Sequence, residues 1–148
     1  MQNNNSIREL YLAENRLKSF NIRDNNSINL LNLAFNQLSQ FSINTNQSVT
    51  SLFLWKNKLR DVSLRNNTSI KILKLHLNEE LDNVNYLPPS LEVLWFSRNK
   101  IVSYNFDILV KMKELNIFSK KDGTKVSRRD MINLREGVQF KGDADAKW

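Results

Sequence analysis

The amino-acid sequence predicts a solenoid of stacked parallel β-strands, because one short pattern recurs along the chain at a fixed step of 21 residues. Each copy opens with a serine, continues with two apolar residues in the order L-x-L (L-x-F in the fifth copy), and reaches an asparagine three positions later. A single strand of this kind cannot bury its apolar side alone, so the copies must stack and share one core. The serines that open the five copies are Ser6, Ser27, Ser48, Ser69 and Ser90.

The clearest copy covers residues 48–67, SVTSLFLWKNKLRDVSLRNN. In an extended chain Leu52 and Leu54 point to one side and their neighbours to the other, and stacked copies then pair as a parallel sheet. Asn57 ends the strand where the chain turns inward, and its amide is expected to bond backbone groups in its own coil and the next. The same pattern predicts a structural asparagine ladder made of Asn15, Asn36, Asn57, Asn78 and Asn99.

A weaker echo of the pattern follows half a repeat later, for example at Phe41, Ile43 and Asn46. About ten residues per half-turn leave room for a second short extended segment and a corner, but not for a helix. The fourth copy departs from this frame, since Leu81 follows Asn78 one residue later than in the other copies. We expect a one-residue bulge and a local bend there.

This consensus resembles the leucine-rich repeat family over residues 6–118, and its nested half-period resembles the 21-residue bacterial subclass found in some internalins and enterobacterial repeat proteins. The resemblance implies a parallel β-sheet on the concave face, short extended segments on the other side and little helix. The sequence LPPSL at 87–91 is also similar to a phrase in the repeats of secreted bacterial effectors. The resemblance to internalins and to secreted effectors further implies a bacterial protein that binds a host or surface protein.

The chain is predicted to divide into two parts. Residues 1–118 form the repeat array, with five full copies and a partial sixth in which Lys120 takes the asparagine position. Residues 119–148 form a C-terminal cap and tail with one short helix, because Ser127 and Asp130 resemble a capping box. No polar cap precedes the first copy, which leaves open a truncated gene product, a covering partner or a homodimer through the first repeat.

Composition narrows the functional classes. The chain has no cysteine, which excludes disulfides and thiol chemistry. Lys and Arg number 22 against 15 Asp and Glu, a net charge of +7 that is mild for a nucleic-acid surface. No run is long enough to span a membrane and no signal peptide is seen. The expected location is therefore the cytoplasm or a destination reached by a signal-less secretion route.

Function is expected on the outward side of the main sheet, where aromatic and basic side chains concentrate. Exposed aromatic clusters mark contact surfaces, and rings beside Arg are typical of interface hot spots. The echo positions Asn21, Ser42, Ser63 and Asn105 are by contrast all small and polar. The alternative is that rings simply favour strands and stack on each other across coils. The predicted partner-binding residues are Phe35, Phe53, Trp55, Lys56, Lys74, His76, Trp95 and Arg98.

The sequence contains no nucleophile–base pair, no glycine-rich phosphate loop and no metal-ligand spacing, so no catalytic residue, cofactor or metal is predicted. His76 is the only histidine and lacks a second ligand in its column. Three hypotheses follow: a module that binds a protein partner through the sheet, a nucleic-acid or polyanion binder that stacks bases on its rings, and a truncated or vestigial repeat fragment that self-associates.

Overall fold

A computed structural model describes residues 5–22, 25–43, 46–64, 66–99, 113–116 and 139–140. The main sheet has seven strands in the order β1-β2-β3-β5-β7-β8-β9, and a second sheet pairs β4 with β6. The strands of the main sheet are β1 (Glu9–Tyr11), β2 (Leu30–Asn32), β3 (Ser51–Phe53), β5 (Ile72–Lys74), β7 (Val93–Trp95), β8 (Glu114–Asn116) and β9 (Gln139–Phe140). Those of the second sheet are β4 (Asp61–Ser63) and β6 (Asn83–Asn85).

The main sheet is parallel throughout and follows the repeat. Leu10 pairs with Leu31, Leu31 with Leu52, and Leu52 with Leu73, each pair one repeat apart. The same register continues from β5 through β7 to β8. The predicted solenoid of parallel strands is therefore confirmed, and the described residues contain no helix. We call the five turns that begin at Ser6, Ser27, Ser48, Ser69 and Ser90 coils 1 to 5.

The second sheet lies on the opposite side of the coils, and the spacing of its paired residues shows the predicted insertion. Ser42 and Ser63 form a bridge 21 residues apart, whereas Val62 pairs with Val84, a step of 22. The one-residue insertion in coil 4 is thus confirmed. Tyr86, just after β6, has a left-handed backbone conformation with a φ of 61°. The equivalent residues of coils 1 to 3, which are Ile22, Ile43 and Leu64, do not have this conformation.

The core is a column of aliphatic side chains enclosed between the two sheets. Leu31, Leu52 and Leu73 supply it from the main sheet, and Ile43 and Val62 from the other side, all at most 2% exposed. Truncating a fully buried Leu in such packing costs about 2–5 kcal/mol. Coil 1 is less covered, since Leu10 and Leu12 are only partly buried against the cluster.

The asparagine amides bind each coil to the one before it. Asn57 donates to the carbonyl oxygens of Leu54 and Leu33, both at 3.0 Å, and accepts the amide of Leu38 at 3.0 Å. Asn36 and Asn78 repeat this arrangement one coil away on either side. The cross-coil bonds of these asparagines run to the preceding coil, so the prediction of bonds within the same coil is confirmed and that of bonds to the next coil is wrong in direction.

A second asparagine series connects the corners on the other side of the coils. Asn67 donates to the carbonyl of Asn46 at 2.7 Å, and Asn46 donates to the carbonyl of Asn25. The opening serines add a parallel row, since Ser48 donates to the carbonyl of Ile28 at 2.8 Å. Ser27 and Ser90 bond the preceding coil in the same way. These rows satisfy buried backbone groups that the short strands leave open.

Several predictions lie outside the described residues. They are the cap helix from Ser127, the boundary between residues 118 and 119, the substitution at Lys120 and the echo position Asn105. In the described part of the chain, no helix is long and apolar enough to cross a lipid bilayer.

Candidate binding surface

The outward side of the main sheet is formed by four columns of side chains, which we call the sheet face. The predicted central column is in register, since Asn32 pairs with Phe53, Phe53 with Lys74 and Lys74 with Trp95. Strand alternation places the residue before each first Leu on this side as well, a column that the sequence interpretation missed. It contributes half-buried apolar side chains to the sheet face at Leu30, Ile72 and Val93, with Ser51 between them.

A ladder of rings crosses the sheet face from coil 2 to coil 5. Phe35 and Trp55 meet edge to face with ring centroids 4.3 Å apart. Trp55 stacks on His76 at 5.1 Å, and His76 meets Trp95 at 5.5 Å with a tilt of 56°. Aromatic pairs in such geometry contribute about 0.5–1.5 kcal/mol beyond the area that they bury. The rings therefore hold one another in fixed positions.

Two lysines lie against these rings. The Lys56 ammonium is 4.4 Å from the centroid of Phe35. Lys74 lies between two aromatic neighbours in its column, with its ammonium 4.3 Å from the Trp95 centroid and 5.4 Å from that of Phe53. All three distances are within the range of cation–π attraction.

Ring and cation contacts connect seven of the eight predicted residues, all but Arg98, and two of the seven are covered more than an exposed cluster would require. Trp95 is 8% exposed and His76 is 4% exposed. Trp95 also donates its indole N–H to the Glu114 carboxylate at 2.5 Å. Large rings in neighbouring coils cover one another at the spacing of about 4.8 Å between strands. Phe35, Phe53 and Trp55 remain half-buried, and Lys56 is exposed.

Burial lowers the pKa of two groups on this surface. It lowers the pKa of His76 to about 3, and the positive charge of Lys74 lowers this pKa further. The imidazole is consequently neutral near pH 7, as its place between two indoles requires. Burial also lowers the pKa of Lys74, while the charge of Glu114 opposes that change.

The corner beside the sheet face is strained in a regular way. The residue before each ladder asparagine has a positive φ, with values of 52° at Phe35, 54° at Lys56 and 60° at Leu77. Glu14 and Arg98 share the conformation. None of these residues is glycine, so each carries the steric cost of a left-handed backbone. This corner turns the third outward column onto the edge of the sheet face.

A groove of about 790 Å³ adjoins the sheet face at this corner. Coil 3 contributes Lys58 and Arg60, and the inserted segment of coil 4 contributes Glu79 and Glu80. Lys56 and Leu77 line the groove and belong to the sheet face as well. The described residues contain no group of three His, Cys, Asp or Glu side chains placed to hold a metal ion.

The opposite side of the coils presents a polar strip formed by Asn21, Ser42 and Ser63. Among the described residues, the large hydrophobic side chains that are freely exposed are Tyr11 and Tyr86, at 60% and 57%. Neither lies among the rings of coils 2 to 5.

Comparison of the chain with protein-family models, with curated proteins and with solved structures finds no match.

Proposed function

We propose that this protein is a non-enzymatic interaction module of the leucine-rich repeat type, which binds a protein partner through its sheet face. One observation carries the proposal. Half-buried apolar side chains from all four outward columns lie within coils 2 to 5, whereas the polar strip on the other side has none; they are Leu30, Phe35, Phe53, Trp55, Ile72, Leu77 and Val93. A concentration of apolar side chains on one side of a surface is typical of interaction sites.

The family assignment within this proposal rests on the repeat itself. The 21-residue register, the L-x-L strands and the asparagine bonds between coils are the features that the leucine-rich repeat consensus implies. The likeness to internalins and to secreted effectors belongs to the same proposal. It makes a host or surface protein the class of partner to search first.

The rigidity of the rings favours binding. Phe35, Trp55, His76 and Trp95 are held in contact before any partner arrives. Few side-chain rotamers are then lost on association, which reduces the entropic cost. The half-exposed edges of Trp55 and Phe53 are the proposed anchors, in keeping with the weight of Trp in interface hot spots.

The experiment compares two strand serines of similar burial on opposite sides of the coil. Ser51 in β3 and Ser63 in β4 are both half-buried strand residues, on the sheet face and the polar strip respectively. We expect Ser51→Glu to reduce recovery of a partner in pull-downs by about tenfold, or about 1.4 kcal/mol, because the new carboxylate would be buried without a partner in the interface. Ser63→Glu should recover the partner as the wild type does.

Trp55→Asp provides a second variant on the sheet face, with Tyr86→Asp as its matched control, because Tyr86 is an aromatic residue away from that face. Circular dichroism and thermal unfolding verify that each variant is folded. Loss of the partner in Ser63→Glu but not in Ser51→Glu would refute the assignment of binding to the sheet face.

A further inference from the structure

The centre of the sheet face holds one cation in a fixed position. The Lys74 side chain lies between the rings of Phe53 and Trp95 and is half-buried. A long side chain that is already held in this way has lost much of its rotamer freedom before a ligand binds. An anion that docks on its ammonium therefore avoids most of the ordering cost that an exposed surface lysine would impose.

The carboxylates near Lys74 already have other partners, although the charge of Glu114 also acts on Lys74. Glu114 accepts the indole N–H of Trp95 at 2.5 Å. Glu92 lies 2.6 Å from the Lys113 ammonium and 3.8 Å from that of Lys71. Among the described residues, no salt bridge is formed by Lys74 itself.

The sheet face of coils 2 to 5 is electrostatically one-sided. Its four outward columns contain Lys56, Lys74 and Arg98 but not a single Asp or Glu. His76 carries no charge near pH 7, because burial lowers its pKa to about 3. Among the described residues, these three cations outnumber the one carboxylate that acts on them from the adjoining strand, Glu114, so a negatively charged ligand is complementary to this face.

The distribution of the cations favours a polypeptide over a nucleic acid. Polyphosphate chains are bound by grooves that follow the backbone with successive basic groups. Here Lys74 is flanked in its own column by Phe53 and Trp95, and the neighbouring column carries Ile72 and Val93. Such a surface suits carboxylates that alternate with apolar side chains.

We propose that the ligand of the sheet face is an acidic polypeptide that places a carboxylate on Lys74 and apolar side chains on the rings beside it. The inference rests on the function proposed above and specifies the chemistry of the partner. Arg98 and Lys56 attract the same segment from the edge of the face.

The test uses a fluorescently labelled random copolymer of glutamate and tyrosine, with poly-glutamate and a 15-residue oligothymidine as comparison probes. Binding to the intact chain is measured by anisotropy over a series of NaCl concentrations. Lys74→Met removes the charge and keeps an unbranched apolar side chain over the rings. Lys58→Met makes the same change at an exposed corner residue outside the sheet face.

We expect the copolymer to bind more tightly than either comparison probe. Lys74→Met should weaken its binding by about tenfold or more, the range of a desolvated charge contact, while Lys58→Met changes it by less than about twofold. Lys74→Arg should retain most of the affinity. Equal affinities for Lys74→Met and Lys58→Met, tighter binding of the oligothymidine, or failure of the wild type to bind the copolymer would overturn the inference.

Ser51→Glu separates this inference from the proposed function. If Ser51→Glu abolishes capture of a protein partner while Lys74→Met has no effect on either ligand, the sheet face binds but the acidic chemistry is wrong. If Ser51→Glu leaves both the copolymer and the partner bound as in the wild type, both this inference and the proposed function are wrong.

Discussion

The two sides of this solenoid rest on one core and follow one repeat, yet they differ in their outward residues. The sheet face carries Phe53 and Trp55, whereas the polar strip carries Ser42 and Ser63 at corresponding places. Strands β4 and β6 pair through Asp61, Val62 and Ser63 without any ring. Strand pairing in this molecule therefore does not depend on aromatic residues, and their concentration on one side needs another explanation.

The comparison also shows how rings can be tolerated on a surface. Each ring of the ladder covers part of the next, so Trp95 and His76 are almost inaccessible while Trp55 is half-buried. Much of the apolar area is thereby removed from water without a partner. What remains exposed is a small and rigid surface with cations placed on it.

The largest effect is expected where the support shared by both sides is broken. Asn57→Ala removes one acceptor and two donor contacts, each at 3.0 Å, and takes the acceptor away from the buried amide of Leu38, while the Leu33 carbonyl keeps its bond from Asn36. We expect the free energy of unfolding to fall by about 2–6 kcal/mol, from about 1–3 kcal/mol for the unpaired amide and about 0.5–1.5 kcal/mol for each of the two lost donor contacts. Urea denaturation followed by tryptophan fluorescence and far-ultraviolet circular dichroism measures it.

Asn15→Ala is the matched control. Asn15 is exposed and donates only within its own coil, to Leu12 and Ala13, so its loss should cost less than about 1 kcal/mol. Equal destabilisation by the two variants would show that the bonds between coils do not support the stack.

Acid should destabilise the fold through His76 of the sheet face. The pKa of His76 is lowered to about 3 in the fold, from 6.5 in the unfolded chain, by burial and by the charge of Lys74. Below pH 6.5 the unfolded chain binds a proton that the folded chain does not, so stability falls as pH is lowered, until about pH 3. Between pH 6.5 and pH 4.5 the loss should be about 2–3 kcal/mol, at 1.36 kcal/mol per pH unit.

His76→Phe isolates this contribution, because it keeps a ring between Trp55 and Trp95 and removes the titration. The difference in unfolding free energy between this variant and the wild type should grow as pH falls from 7 to 4.5. A difference that stays constant over that range would contradict a buried neutral histidine.

A smaller effect is expected at the strained corner that turns the third column onto the sheet face. Lys56 has a φ of 54°, where a β-branched side chain is strongly disfavoured. We expect Lys56→Val to destabilise the fold by about 1–2 kcal/mol and Lys56→Asn to have little effect. Lys58→Val is the control, since Lys58 is exposed and does not have this conformation. Thermal unfolding that shifts equally in the two Val variants would argue against strain.

The repeat predicted most of this architecture because a fixed register leaves little freedom. Once Leu31, Leu52 and Leu73 point inward, the columns of Phe53 and Trp55 are determined, and the late Leu81 places the insertion. The same alternation also predicts the column of Leu30, Ile72 and Val93. The sequence interpretation missed this column because it considered only the residues that follow the first Leu of each pair.

Other features were not readable from a linear pattern. The burial of His76 and Trp95 depends on how ring edges fit between neighbouring coils. The left-handed backbone at Phe35, Lys56 and Leu77 has no marker, because the position is occupied by residues other than glycine. The direction of the asparagine bonds toward the preceding coil likewise follows from the placement of its carbonyls, which the sequence does not specify.

The smallest effect is expected when a ring is added to the polar strip. Ser63→Tyr in β4 should change the unfolding free energy by less than about 0.5 kcal/mol, as is usual for a surface position. It should not improve binding of the glutamate–tyrosine copolymer. A gain in binding comparable to the loss in Lys74→Met would show that any ring on this solenoid creates a site, and the distinction between the two sides would disappear.

The central claim, that the sheet face and not the polar strip contacts the partner, is tested most directly by photo-crosslinking from one residue on each side. A benzoylphenylalanine replaces Phe53 in one variant and Ser63 in the other, and the partner recovered by the wild type is irradiated with each. The account predicts adducts from position 53 and none above background from position 63. Adducts from position 63, or equal yields from both positions, would contradict it.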